Sequence, residues 1–112
     1  MDLGRLLRTA GKARSQQLSL FALLSLGMIE SLTNGMVSAA EAVRVFFHAD
    51  NCLFIRKELR DRTTDEIMSR GVQLTDLFDI LATEEARRQF QRELASMRFL
   101  CLKLLEKKQL VA

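Results

Sequence analysis

Residues 16–32 read QQLSLFALLSLGMIESL, and the rest of the chain is best understood as packing around this stretch. Between Leu18 and Ile29 only two serines interrupt a run of apolar residues plus Gly27. The apolar residues recur at helical spacing on more than one face, which is typical of a core helix rather than a surface helix. The sequence therefore predicts a helix that is buried on most of its sides.

The composition extends this prediction to the whole chain. The 112 residues include no Pro, Tyr or Trp and only five Gly, so the chain suits helices and offers little of the aromatic and β-branched material that strands favour. A chain of this length can bury the core of one domain without disulfides. We predict an all-α fold, a compact bundle of five or six helices with a long C-terminal helix. Residues 1–14 form a basic, partly frayed N-terminal arm or helix, and residues 15–112 form a single helical-bundle domain.

Local signals set the expected helix boundaries. Thr33-Asn34-Gly35 is a helix stop, and Ser38 with Glu41 forms a capping box that starts a helix from 39 to about 48. The short connection predicts that this helix turns back against the core helix as an αα-hairpin. The remaining short helices are expected at about 51–61, at 63–71 with an N-cap at Thr63 or Thr64, and at 74–81.

The last helix is expected from Thr83 to Lys108 and is the longest in the chain. At 1.5 Å per residue its roughly 26 residues would span about 39 Å, more than a compact bundle of this size requires. Its apolar residues step by 4, 3, 4, 3, and we predict homodimerisation through this seam: Phe90, Leu94, Met97, Cys101 and Leu104. Additional apolar residues at Phe99, Leu102 and Leu105 widen the stripe. The alternative is that neighbouring segments of the same chain cover the whole stripe.

We find no pattern that predicts catalysis, a bound cofactor or a metal site. His48 and Cys52 are four residues apart and would share a helical face if the helix ran through Asp50 and Asn51. Such a pair can form an activated thiolate or half of a metal site. Because the chain has a single His and no second Cys nearby, a helix-end His beside a core Cys is the favoured interpretation. We therefore predict a non-enzymatic protein without a cofactor.

A helix-turn-helix is the competing interpretation. Residues 66–81, EIMSRGVQLTDLFDIL, contain a helix, a turn with Gly71 and a second helix, with Val72, Leu77 and Ile80 at expected core positions. The reading helix, however, would carry Asp76 and Asp79 and so face the phosphates with the wrong sign. This disfavours nucleic acid as a partner.

Charge and cysteine content complete the prediction. The formal charge is +3, with basic ends around an acidic middle, which fits a solvated surface. Two cysteines within apolar patterns indicate reduced thiols and a cytoplasmic protein. The apolar run is too short for a membrane span, and its distance from the nearest small-residue cleavage pattern disfavours a signal peptide. The predicted function is a small protein–protein interaction or regulatory module that self-associates, with a helix-turn-helix-like DNA-binding transcriptional regulator as the alternative.

Overall fold

The computed structural model describes the backbone of residues 1–109 and the side chains of residues 1–106. All regular secondary structure in that range is helical: α1 (Leu3–Thr9), α2 (Arg14–Thr33), α3 (Ala39–Val45), α4 (Ala49–Glu58), α5 (Arg62–Val72), α6 (Asp76–Ile80) and α7 (Thr83–Gln109). These are six helices of a bundle preceded by a helical N-terminal arm. The predicted all-α fold with a long C-terminal helix is confirmed.

The core is built on α2 and α7, which lie antiparallel. Glu30 of α2 pairs with Arg98 of α7, and Leu32, two residues later in α2, shares a hollow with Phe90, eight residues earlier in α7. Their contact buries one side of each helix: Leu18, Phe21, Ala22, Ile29 and Leu32 on α2, and Leu94, Met97, Cys101 and Leu104 on α7. Because Leu104 lies near the end of this 27-residue helix, α7 is packed along most of its length.

The helix ends follow the predicted chemistry in two places. α2 stops at Thr33, and Gly35 adopts a positive φ of 74°, a conformation that costs glycine little. Ser38 and Glu41 form the predicted capping box at the start of α3, which then ends at Val45, earlier than expected. The N-cap predicted at Thr63 or Thr64 for the helix at 63–71, which is α5, was wrong. Asp61, rather than a threonine, caps α5, because its carboxylate accepts from the Thr64 N–H at 3.0 Å.

The N-terminal arm is a docked helix. Leu3 and Leu7 of α1 are fully buried, and α1 packs against both α2 and α4. Asn51 of α4 holds the start of this helix: its side-chain oxygen accepts from the Leu3 N–H at 3.1 Å, and its amide donates to the Phe46 carbonyl at 2.9 Å and the Met1 carbonyl at 3.1 Å. This buried side chain therefore joins α1 to the α3–α4 corner.

The short helices α3, α4 and α5 form the side of the bundle away from α7's exposed surface. α3 contacts α2 as predicted, but this contact is small, and the main partner of α2 is α7. α3 also packs against α5. Gly71 makes that second contact possible: a Cβ at this position would overlap the ring of the buried Phe47. Gly71 therefore lies inside α5 at a close approach, and not in a turn as the helix-turn-helix interpretation required.

Candidate interaction surfaces

The seam predicted as a dimer interface faces the interior of its own chain. Leu94, Met97, Cys101 and Leu104 are buried, and Phe90 is half-buried against Phe78, with ring centroids 5.2 Å apart. Because α7 packs against α2, α5 and α6, the four buried side chains are not available on the surface to a second copy, and Phe90 is only partly accessible. Self-association stays a prediction, and the exposed apolar residues of the two long helices are one place where its surface could lie.

Three large apolar side chains remain exposed on α2 and α7. Leu23 is 56% exposed, Phe99 is 66% exposed and Leu102 is 41% exposed. Single exposed apolar residues are ordinary on soluble proteins, whereas a contiguous group of them marks an interaction surface. The question is therefore whether these three lie together.

Helical spacing from the Glu30–Arg98 ion pair places Leu23 beside Leu102. The atoms of this ion pair lie 3.0 Å apart, so Glu30 and Arg98 mark the sides of α2 and α7 that adjoin at the surface. Leu23 lies seven residues before Glu30, and Leu102 lies four residues after Arg98, spacings that return to the same side of a helix. Phe99 lies three residues before Leu102, so these two side chains are neighbours along α7. Because α2 and α7 are antiparallel, both steps run in the same direction from the ion pair. We call Leu23, Gly27, Phe99 and Leu102, with the Glu30–Arg98 pair, the outer face.

Gly27 is the least expected member of the outer face. It lies in the middle of α2, where glycine costs about 0.8–1 kcal/mol relative to alanine. A Cβ built there would meet nothing within 4 Å, so the packing of this chain does not require a glycine at position 27. Gly71 is the opposite case, because a Cβ there would overlap a buried ring.

A second surface lies across α3, α4 and α5. It is a groove of about 590 Å³ with Val43, Phe47, Cys52, Leu53 and Val72 among its apolar lining residues. Its lining contains two arginines and a histidine and no carboxylate: Arg44, His48 and Arg56. We call this feature the basic groove. A smaller hollow of about 210 Å³ continues from it past Arg56 and includes Asp65.

His48 and Cys52 do not form the pair that their spacing suggested. His48 lies before α4 as its N-cap, where Nδ1 accepts from the Asn51 N–H at 3.4 Å and Nε2 lies 3.1 Å from the Met1 carbonyl oxygen. A neutral ring with its proton on Nε2 satisfies both contacts. The Cys52 thiol instead donates to the Phe47 carbonyl, with sulfur and oxygen 3.6 Å apart.

The two thiols differ in accessibility. Cys52 is half-buried in the groove, and its pKa is raised mainly by burial, an effect that the nearby Arg56 charge partly offsets. Cys101 is fully buried in the α2–α7 core, where burial raises its pKa to about 12. Reactivity requires access and the thiolate form, so Cys52 is the more reactive thiol of the folded chain.

The segment that resembled a helix-turn-helix lacks the required geometry. The helix proposed to read DNA is α6, which has only five residues. Two of the three residues expected in its core, Val72 and Ile80, are exposed, and Leu77 is half-buried. The core assignment of Val72 and Ile80 was therefore wrong.

Over the described residues, no group of three or more His, Cys, Asp or Glu side chains is arranged to hold a metal ion. None of the helices described is both long enough and apolar enough to cross a membrane.

A comparison with known protein families identifies the family of this chain. A family model described as DUF3969, a protein of unknown function, matches residues 12–111. The chain belongs to the DUF3969 family. Neither the curated proteins nor the solved structures include a match. The DUF3969 match contains the whole of the outer face and of the basic groove, whereas α1 lies before it.

Sequence reasoning found part of these surfaces. The surplus apolar residues Phe99 and Leu102 already suggested that α7 has a second contact surface. The basic groove was missed because its residues come from three separate helices, and no spacing along the chain connects Arg44 with Arg56 or Val72.

Proposed function

We propose that this protein is a non-enzymatic interaction module that self-associates by pairing the outer faces of two copies. The observation that carries the proposal is the exposure of Leu23, Phe99 and Leu102 on one side of the α2–α7 pair. Burying such side chains is favourable by about 1.5–3 kcal/mol each when they become fully covered. A partner surface is the simplest way to remove this apolar area from water.

Charge supports a second copy as the partner. The outer face carries one acid and one base, Glu30 and Arg98, which neutralise each other. A two-fold axis would therefore bring the same neutral, apolar surface against itself without repulsion between like charges. In that arrangement each copy can also place its Arg98 near the partner copy's Glu30, which favours a defined orientation.

Gly27 supports close contact between helices. A residue without a side chain allows another backbone to approach, and the space in front of Gly27 is open. The loss of helix stability that Gly27 causes within α2 would then be offset by close helix contact in the dimer. Pairing of α2 with the same helix of the second copy makes use of this open position.

Nuclear magnetic resonance on dilution tests the proposal. Uniformly ¹⁵N-labelled protein is diluted stepwise while backbone amide shifts are recorded. We expect concentration-dependent shifts at the amides of α2 around Leu23 to Gly27 and of α7 around Phe99 to Leu102. The amides of α4 and α5 serve as the internal control and should not move.

Three results would contradict the proposal. Spectra that remain those of a monomer at all concentrations would exclude self-association. Shifts confined to α3, α4, α5 or α6 would show that association uses another surface. An alternative explanation by general aggregation predicts uniform line broadening over all helices, and it would count against the outer face.

A further inference from the structure

The basic groove combines an apolar lining with two arginines that form no ion pair with any described side chain. Its apolar residues, Val43, Phe47, Leu53 and Val72, come from α3, the α3–α4 corner, α4 and the end of α5. Leu53 is 48% exposed and Val72 is 42% exposed, so apolar surface faces water here. The volume of about 590 Å³ lies within the range of sites that hold small organic ligands.

The two arginines of the groove share with several other arginines of the described chain the lack of a carboxylate at ion-pair distance. Ion pairs tie Arg14, Arg70, Arg88 and Arg98 to acids. Over the side chains that the structure describes, neither Arg44 nor Arg56 has such a pair, and both line the groove. A guanidinium recognises carboxylates by charge-assisted hydrogen bonds, which are stronger than neutral ones. The groove therefore offers a positive site beside apolar surface.

We infer that the basic groove binds a single-chain carboxylate amphiphile of the fatty-acid class. Its alkyl chain would cover Val43, Leu53 and Val72, and its carboxylate would accept hydrogen bonds from Arg44 or Arg56. The neighbouring hollow contains Asp65, which would repel an anion, so the carboxylate belongs in the larger groove. A concave groove admits one chain, whereas the surface of a bilayer is flat and cannot enter it. This inference goes beyond self-association and uses none of the outer-face residues.

Cys52 provides a built-in reporter for this site. Its thiol lines both the groove and the adjoining hollow, so a bound chain would block access to its sulfur. Cys101 provides an internal control, because it is fully buried in the core and lies outside the groove. The rate at which iodoacetamide modifies Cys52 in the folded protein, followed by mass spectrometry, therefore reports on occupancy.

The probe is laurate, used below its critical micelle concentration. We expect laurate to slow modification of Cys52 in a saturable way, while dodecyltrimethylammonium, which has the same chain and the opposite charge, does not. The double variant Arg44→Gln with Arg56→Gln should raise the Kd for laurate about tenfold or more, since hydrogen bonds to charged groups contribute at least one such factor. A matched control, Arg87→Gln with Arg92→Gln on α7, removes two exposed arginines and should leave the Kd unchanged.

The outcomes separate this inference from its rivals. Equal protection by both detergents would show non-specific apolar binding, and an unchanged Cys52 rate with laurate would show that no chain binds; either result overturns the inference. Vesicles of anionic lipid that protect Cys52 while laurate does not would assign the groove to a membrane surface instead. If the double groove variant loses its helical circular dichroism, the Kd for laurate is measured on Arg56→Gln alone. Arg56 is exposed, so this single substitution should leave the fold intact, and an unchanged Kd would then overturn the inference.

Discussion

The two sides of α2 carry similar residues and have different surroundings. The inner side presents Leu18, Phe21 and Ile29 to the rest of the bundle and buries them fully or almost fully, whereas the outer side leaves Leu23 more than half exposed, and a Cβ at Gly27 would meet no atom within 4 Å. Both sides are apolar, so α2 has the pattern of a helix that is covered all round. One chain supplies cover for only one of the two sides. The difference teaches that burial within one chain explains only the inner side of α2, and the exposed outer side is the basis of the proposed self-association.

Truncating one residue on each side sharpens the comparison and has the largest expected effect. Ile29→Ala removes a fully buried side chain and should lower the free energy of unfolding by about 2–5 kcal/mol. Leu23→Ala removes a side chain that is mostly in water, so in the monomer it should change the free energy of unfolding by roughly 0.5 kcal/mol or less. Urea titration at low protein concentration measures both. Equal losses for the two variants would show that the inner and outer sides are wrongly assigned.

The two helical glycines provide a second and smaller test. Gly71→Ala forces a methyl group against the ring of buried Phe47, and overpacking of this kind costs about 1–3 kcal/mol. Gly27→Ala meets no atom, so in a monomer it should stabilise α2 by up to about 1 kcal/mol. Thermal unfolding of both variants at low concentration checks the opposite signs. A destabilised Gly27→Ala monomer would mean that position 27 has a role within one chain.

The sequence predicted the helices better than their partners. The capping box at Ser38 and the stop at Gly35 are local, because the atoms that interact lie within a few residues of one another. The pairing of α2 with α7 is not local. Apolar residues lie around most of α2, so its sequence could not indicate which side meets the core.

Because the sequence does not show which helices pair, it also could not show what covers the seam on α7. Its 4-3-4-3 spacing correctly identified one apolar side of the helix, yet such spacing is the same whether the neighbour is α2 of the same chain or a helix of another chain. The residues beside the seam include Phe99 and Leu102, which the structure leaves exposed, and the proposed self-association uses these two instead of the seam. The groove arginines had no comparable signal, because α3 and α4 bring them together only in the folded chain.

The central claim is that two copies pair through the outer face, and the mass of the protein in solution tests it most directly. Light scattering coupled to size exclusion at micromolar concentration should give a mass of twice the 12.8 kDa chain for the unmodified protein. Leu102→Glu should reduce this to the mass of one chain, because an unpaired charge would be buried at the interface. Met36→Glu is the matched control, since Met36 is 78% exposed and lies outside the outer face, and it should leave the dimer intact. An unmodified protein with the mass of one chain, or a Leu102→Glu variant that remains a dimer, would contradict the account.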